Sequence, residues 1–420
     1  MEKKITAHRK KWLGIPRSLS TDLFYARSAV IQLPFSSLVE EVKVARVRTQ
    51  VMLEASRDEC IRNAKINLDA GRKWKVSEAV EEAKTRLRMQ DIAGIANIGR
   101  EGVGSYHRQY YSGSTDKEKK DLIVKKTREA QEENRLVRIA SLAQQSRTLE
   151  WGVEKRVVKD RDMRKTSDAQ FQFSVKAVYD LLPTPVNKNR WFRTDQYSCH
   201  LCGGNGTLQH ILTGCKVALA QGRYTWRHNR VLRELGTWLE EKRKSSNSIP
   251  WKRRGIKFIK AGEKSKPTTT VAQPDSVLKI ARDWKMLVDL PETPLSVPTH
   301  IAVTAQRPDI IITSDAMKLM FLIELTCPME GRCEVSTELK TDRYERDVVE
   351  AAKLKGWKTV IYTVEVGCRG FPAPSITRML RDFGFTGKKR REILKKLSII
   401  AEESSMKIWK SSQFRNWGER

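Results

Sequence analysis

Long apolar runs are missing from this chain: no stretch approaches the roughly 18 consecutive apolar residues of a membrane-spanning helix. The N-terminal segment, MEKKITAHRKKW, has no apolar core of the kind a secretory signal carries, so no such signal is expected there. Acidic residues are scarce against basic ones. There are 50 Asp+Glu for 80 Lys+Arg, a net charge of +30. An imbalance of this size argues about partners rather than fold, and its natural partner is a polyanion, with a lipid surface the weaker choice and no membrane partner expected. Cysteine is also sparing. The chain has 7, an odd number, and three of them stand at metal-binding spacing, which argues against a disulfide framework and for a reducing compartment. A cytosolic or nuclear protein is expected. What is present, 420 residues with 39% hydrophobic content, suffices for roughly two or three cored domains.

Residues 1–75 read as helical, with Val44, Val47, Val51 and Ala55 recurring on one apolar face. Residues 77–150 also read as helical and highly charged. Ser77 is placed to cap a helix whose apolar side carries Val80, Ala83 and Leu87. Gly102, Gly104 and Gly113 predict a break, and a long polar helix is expected from about Asp116 to Gln145. The Lys/Ser/Thr/Pro-rich stretch 243–275 reads as linker. Strands are expected at Asp309–Ile312, Leu319–Leu325 and Thr359–Val366, with a helix at about Thr337–Lys355 between the last two. There is no internal repeat.

Cys199, Cys202, His210 and Cys215 follow the pattern C-x2-C-x7-H-x4-C. Zinc takes four tetrahedral ligands and favours thiolate and imidazole, so this spacing predicts a closed, structural zinc site. Gly203, Gly204 and Gly206 let the chain turn back over the metal. His200 is set aside because its neighbour Cys199 already points at the ion. A helix through Trp226, Val231, Leu235 and Leu239 is expected next. Its start is rich in basic and aromatic residues: Arg223, Tyr224, Trp226, Arg227, His228 and Arg230. Phosphate contact with stacking is one use for them. The other is a core Trp226 among solvated arginines.

Asp309 opens one strand of an apparent hairpin and Glu324 lies near the end of the next. Both are equally distant from the middle of the turn, between Ala316 and Met317. In a regular register they face each other, with Cβ atoms roughly 4.5–5.5 Å apart. Two such carboxylates can share a Mg²⁺ or Mn²⁺ ion, a hard cation that takes oxygen ligands. Lys340 shares a helix face with Tyr344, Val348 and Ala351. It is suited to carry positive charge to a phosphate, or else it snorkels to solvent. Glu330 and Glu365 are further acidic candidates.

The run from Arg307-Pro308-Asp309 to Glu324-Leu325-Thr326 resembles the restriction-like endonuclease of non-LTR (LINE-type) retrotransposons, in which a zinc knuckle precedes the nuclease as it does here. Lys340 and Tyr344 fit that family's Lys-x3-Tyr pattern. Val364-Glu365-Val366-Gly367 and Arg369-Gly370-Phe371 resemble its next strand and loop. Trp12-Leu13-Gly14-Ile15-Pro16-Arg17-Ser18-Leu19-Ser20, Gln32-Leu33-Pro34 and Ser36-Ser37-Leu38-Val39-Glu40-Glu41 are similar to the thumb that follows its polymerase palm. The position two after Glu324 is Thr326 rather than lysine, and the family's use of a helix lysine gives that role to Lys340. No two aspartates are adjacent anywhere in the chain, so the paired-Asp signature of a reverse transcriptase palm is absent.

The resemblance implies an α+β protein: a mostly helical N-terminal half, a small zinc knuckle, then a PD-(D/E)xK restriction-endonuclease-like α/β domain. The expected division is a thumb-like segment 1–75, a helical basic connector 76–190, the CCHC knuckle with its helix 191–242, a linker 243–298, the nuclease domain 299–395 and a tail 396–420. It implies a Mg²⁺-dependent DNA endonuclease with Asp309, Glu324, Lys340 and Tyr344 in its active site. Structural zinc is held by the Cys3His set, and no reverse transcription is expected from this chain alone. Target DNA and the element's RNA are the expected partners, with a polymerase-bearing chain if the element is active, and the nucleus the expected location, with the cytoplasm second. The alternative is an inactive, zinc-dependent nucleic-acid-binding remnant.

Overall fold

The computed structural model describes residues 1–64, 66–69, 73–99, 102–106, 110–248 and 276–418. It is a mixed α+β chain of two compact units. One comprises Met1–Leu149 and Val157–Lys165, the other Glu150–Arg156 and Thr166–Arg420.

The first unit is built on helices α1 (Glu2–Trp12), α2 (Leu38–Glu54), α3 (Val76–Ala93) and α4 (Asp116–Ala140). The periodic face of α2 is buried as expected at Val44, Val47 and Val51, whereas Ala55 sits at the helix C-cap and is exposed. That face packs on Val76, Val80, Ala83 and Leu87 of α3 and on Ile123 and Val124 of α4. One apolar cluster therefore spans the proposed boundary at residue 75, and the early part of the expected connector shares a core with the thumb-like segment. Ser77 lies inside α3, whose N-cap is Lys75. The cap found is at α4, where Thr115 and Glu118 form a reciprocal capping box. The break at Gly102 and Gly104 is a hairpin, β1 (Ile95–Gly99) with β2 (Gly102–Tyr106).

The second unit holds α5 (Asp168–Val178), α6 (Pro185–Phe192), the knuckle, and the long helix α7 (Arg223–Ser248). A four-stranded sheet follows in the order β3 (Lys285–Val288), β4 (Ile310–Ser314), β5 (Leu319–Thr326) and β6 (Lys358–Glu365). β3, β4 and β5 are antiparallel neighbours, and β6 runs parallel to β5. A parallel neighbour requires a crossover, supplied here by α8 (Cys333–Tyr344), a π-helical turn at Glu345–Val349 and a last helical turn at Glu350–Leu354. β5 is buried from Leu319 to Leu325, which suits its nearly unbroken apolar sequence. One face of the sheet, with Ile310, Ile312, Phe321 and Ile323, packs on α7, α9 (Pro374–Asp382) and α10 (Gly387–Lys410). The other, with Ile311, Met320 and Leu322, packs on Tyr344, Val348 and Ala352.

Four expected boundaries move. α7 continues to Ser248, and residues 249–275 of the expected linker lie outside the described residues. The remainder of that linker contains β3 and the buried Trp284, whose indole donates to Leu278 O at 2.8 Å. The expected tail belongs to α10, which buries Leu397, Ala401 and Ile408. The expected helix at 337–355 starts earlier and is split by the π turn, which carries burial from Tyr344 to Val348 and then to Ala352 rather than Ala351.

Because Trp284 is 1% exposed, Trp284→Ala should destabilise the second unit by about 3–5 kcal/mol, read by urea unfolding. A segment that behaved as a linker would show almost no change.

Candidate functional site

The knuckle is a short hairpin followed by a helical turn. Cys199 N–H donates to Gly204 O at 2.6 Å, Gly203 N–H to Cys199 O at 2.9 Å, and Gly206 N–H to Tyr197 O at 2.9 Å. Gly203 has φ +72°, where a side chain would strain the turn. At Gly206 an added Cβ would stand 2.8 Å from Pro185, so close packing excludes anything larger. The chain then enters a π-helical turn, His210–Gly214, which delivers His210 and Cys215 to the same side. The ligand atoms of Cys199, Cys202, His210 and Cys215 all lie within 4.8 Å of one another. Cys199 Sγ and Cys215 Sγ are 3.9 Å apart, and Cys202 Sγ is 3.1 Å from His210 Nε2. An edge of about 3.8 Å is what a tetrahedron with Zn–S bonds of about 2.3 Å would show. Three thiols and an imidazole so gathered can hold a metal such as zinc. Burial lowers the basicity of His210, keeping the ring neutral as a ligand must be, and it pushes the Cys215 thiol up to about 11, so binding there must displace a proton. His200 is exposed and outside the cluster.

The carboxylates stand where the hairpin symmetry places them. Ile310 pairs with Ile323 and Ser314 with Leu319, so the same register sets Asp309 opposite Glu324. They are 9% and 5% exposed. Asp309 Oδ2 accepts the Leu325 N–H at 2.7 Å. Lys340 Nζ is paired with Glu324 Oε1, and Tyr344 O–H donates to Glu324 Oε2 at 2.8 Å. Burial, then the charge of Asp309, raises the Glu324 pKa, while Lys340 and Tyr344 pull it back. The Tyr344 phenol is itself pushed far up by burial and by the Glu324 charge, so it stays a donor. The donors here are oxygens, a set that suits a hard divalent cation. Glu330 and Glu365 stand apart. Glu330 is bound by Arg369 N–H at 2.7 Å and Arg369 Nε at 2.5 Å, and Glu365 accepts from Ser375 Oγ at 2.5 Å.

The start of α7 departs from the expected nucleic-acid face. Arg223 is 0% exposed and gives its guanidinium to Ser411 O and Phe414 O, both at 2.8 Å. Arg227, 2% exposed, donates to Leu212 O and Ser405 Oγ at 3.0 Å and to Cys327 O at 3.1 Å. Tyr224 Oη accepts the Cys215 N–H at 3.0 Å and lies 3.0 Å from Ile211 O. These three side chains are turned inward, and the terminal guanidinium nitrogens of Arg223 and Arg227 are directed at protein carbonyls and the Ser405 hydroxyl rather than at a phosphate. Trp226 and Arg230 are half-buried, with the Arg230 guanidinium 5.2 Å from the Trp226 ring centre and 3.0 Å from Ser404 Oγ. His228 reaches Asp309: Nε2 is 3.3 Å from Oδ2 and 3.1 Å from Leu325 O. Burial works against a charge on this ring, but Asp309, Asn229 and the Leu325 carbonyl outweigh it and raise the pKa to about 9. The signal for this inward set was its spacing. Tyr224, Arg227 and His228 lie three, four or seven residues before Val231, on the same face of α7.

No protein-family model matches the chain, and a search of curated proteins finds no similar sequence.

Purified protein should contain one tightly bound zinc per chain at this cluster, measured by elemental analysis. The Cys199→Ser/Cys202→Ser variant should lose it. Strong chelation should raise protease cleavage between Tyr197 and Cys215, because ligand bonds order so short a segment.

Proposed function

We propose that this chain is a metal-dependent DNA endonuclease of the restriction-like kind associated with non-LTR retrotransposons, with its second unit arranged as a PD-(D/E)xK nuclease. The observation that carries the reading is the buried Asp309–Glu324 pair on adjacent strands, with Lys340 on Glu324. The sheet supports it too: an antiparallel β3–β4–β5 run followed by a helical crossover to a parallel β6 is compatible with that arrangement.

Asp309 and Glu324 would hold Mg²⁺ or Mn²⁺. Bound there, such an ion lowers the pKa of water and offsets charge on a phosphodiester. Tyr344 holds the Glu324 carboxylate through its 2.8 Å hydrogen bond and keeps its own proton. Lys340, whose side chain is one-third exposed, would turn from Glu324 to a phosphate oxygen as charge develops there. Water adds to phosphorus, the 3′-oxygen leaves with a proton, and the products are a 3′-hydroxyl and a 5′-phosphate. The proposed partners are target DNA, the element's RNA and a polymerase-bearing chain, in the nucleus. With Arg223, Tyr224, Arg227 and His228 engaged inside the protein, phosphate contacts fall to Arg230, Trp226 and the exposed remainder of the basic surface.

Asp309→Ala and Glu324→Ala should each abolish Mg²⁺-dependent plasmid nicking while DNA affinity is kept or raised, since each removes negative charge beside phosphate. Lys340→Ala should slow single-turnover nicking by about a hundredfold. A folded, zinc-loaded chain that binds DNA but nicks nothing in Mg²⁺ or Mn²⁺ would establish the binding-remnant alternative. DNA affinity should fall steeply from low to physiological salt, in line with counterion release. A salt-independent affinity would refute the electrostatic reading of the +30 charge.

A further inference from the structure

The two oxygens of Asp309 have unlike surroundings. Oδ2 takes the Leu325 N–H at 2.7 Å and lies 3.3 Å from His228 Nε2. Oδ1 has no protein donor among the described residues. His228 also lies 3.1 Å from the Leu325 carbonyl, and its Nδ1 is 3.1 Å from Asn229 Oδ1. The ring thus ties the head of β4 to the end of β5, next to Glu324. Its mounting is stiff. The preceding residue, Arg227, joins the knuckle carbonyl of Leu212 to the carbonyl of Cys327 just beyond β5.

We propose that His228 is a positioning residue, which with the Leu325 N–H holds Asp309 Oδ2 against β5 and leaves Oδ1 as the oxygen offered to a divalent cation. The proposal takes its chemistry from the endonuclease reading but can be tested without nicking. A carboxylate ligand is commonly held by a hydrogen bond from a neighbour, and losing that bond weakens metal binding by about 10–100-fold. His228 would act on metal affinity, not on the chemical step. Its polar contacts run to Asp309, Asn229 and the Leu325 carbonyl rather than to Glu324.

The experiment uses the full, zinc-loaded chain and measures Mn²⁺ binding by electron paramagnetic resonance, with nicking followed over a Mg²⁺ titration. His228→Leu keeps bulk without a donor. His228→Gln keeps an amide N–H near the position of Nε2. The Leu variant should weaken Mn²⁺ binding about tenfold or more. It should also move the half-saturating Mg²⁺ concentration upward, with the rate restored at high metal. The Gln variant should retain most of the affinity, and Asp309→Ala should bind no Mn²⁺ at this site. Circular dichroism and zinc content confirm the fold, and His228→Ala replaces the Leu variant if that fails to fold. Equal Mn²⁺ affinity in wild type and the Leu variant overturns the proposal, as does a Gln variant no better than Leu. Wild-type protein that binds no Mn²⁺ overturns it too. If the binding pattern holds and nothing is nicked, the positioning role stands and the endonuclease reading fails.

Discussion

Two carboxylates buried side by side repel each other where little water screens them, and the sheet unit is organised around that repulsion. Asp309 and Glu324 are 9% and 5% exposed, and the Asp309 charge adds to burial in raising the Glu324 pKa. The compensation comes from three directions: the Leu325 N–H within the sheet, Lys340 and Tyr344 from the crossover helix, and His228 from α7 on the opposite side. Helices on both faces are therefore needed electrostatically as well as for apolar cover. The grouping thus sets two acids against a lysine, a histidine and a phenol.

α7 links this site to the Cys3His knuckle. In two turns it spends Tyr224 on the knuckle backbone, Arg227 on both the knuckle and the end of β5, and His228 on Asp309. Farther along, Val231, Leu235 and Leu239 bury against the sheet and α10. A buried arginine keeps its charge, and three carbonyl or hydroxyl acceptors around Arg227 offset its desolvation. That need explains why basic residues lie in the interior of a chain whose charge would suggest that they face a polyanion.

Much of the candidate site was legible because it depends on short loops. Cys199, Cys202, His210 and Cys215 sit within one hairpin and one turn, so spacing alone brings the thiols and imidazole together. Asp309 and Glu324 flank a tight turn, and a regular antiparallel register leaves them no other pairing. The buried face of α2 follows from its period, and the capping box of α4 is spelled by Thr115 and Glu118. Local pattern does not reach a residue whose partner lies far along the chain. A run of arginine, tyrosine and histidine looks the same whether it faces a phosphate or a carbonyl, and only its phase against Val231 hinted at the interior. β3 lies in a polar stretch, and an edge strand of four residues with Lys285 and Leu287 exposed carries a weak pattern.

The ligand spacing of the knuckle, the facing of Asp309 and Glu324, and the basic excess rest on local geometry or on counting, and the residue order suffices for them. That His228 meets Asp309, that Arg223 and Arg227 are interior ties, that Trp284 and β3 belong to the sheet unit, and that α10 completes the core beneath it emerge from the folded arrangement alone. Those contacts join residues far apart in the chain, and their geometry is set by how helices close on the two faces of a sheet, which no local pattern encodes.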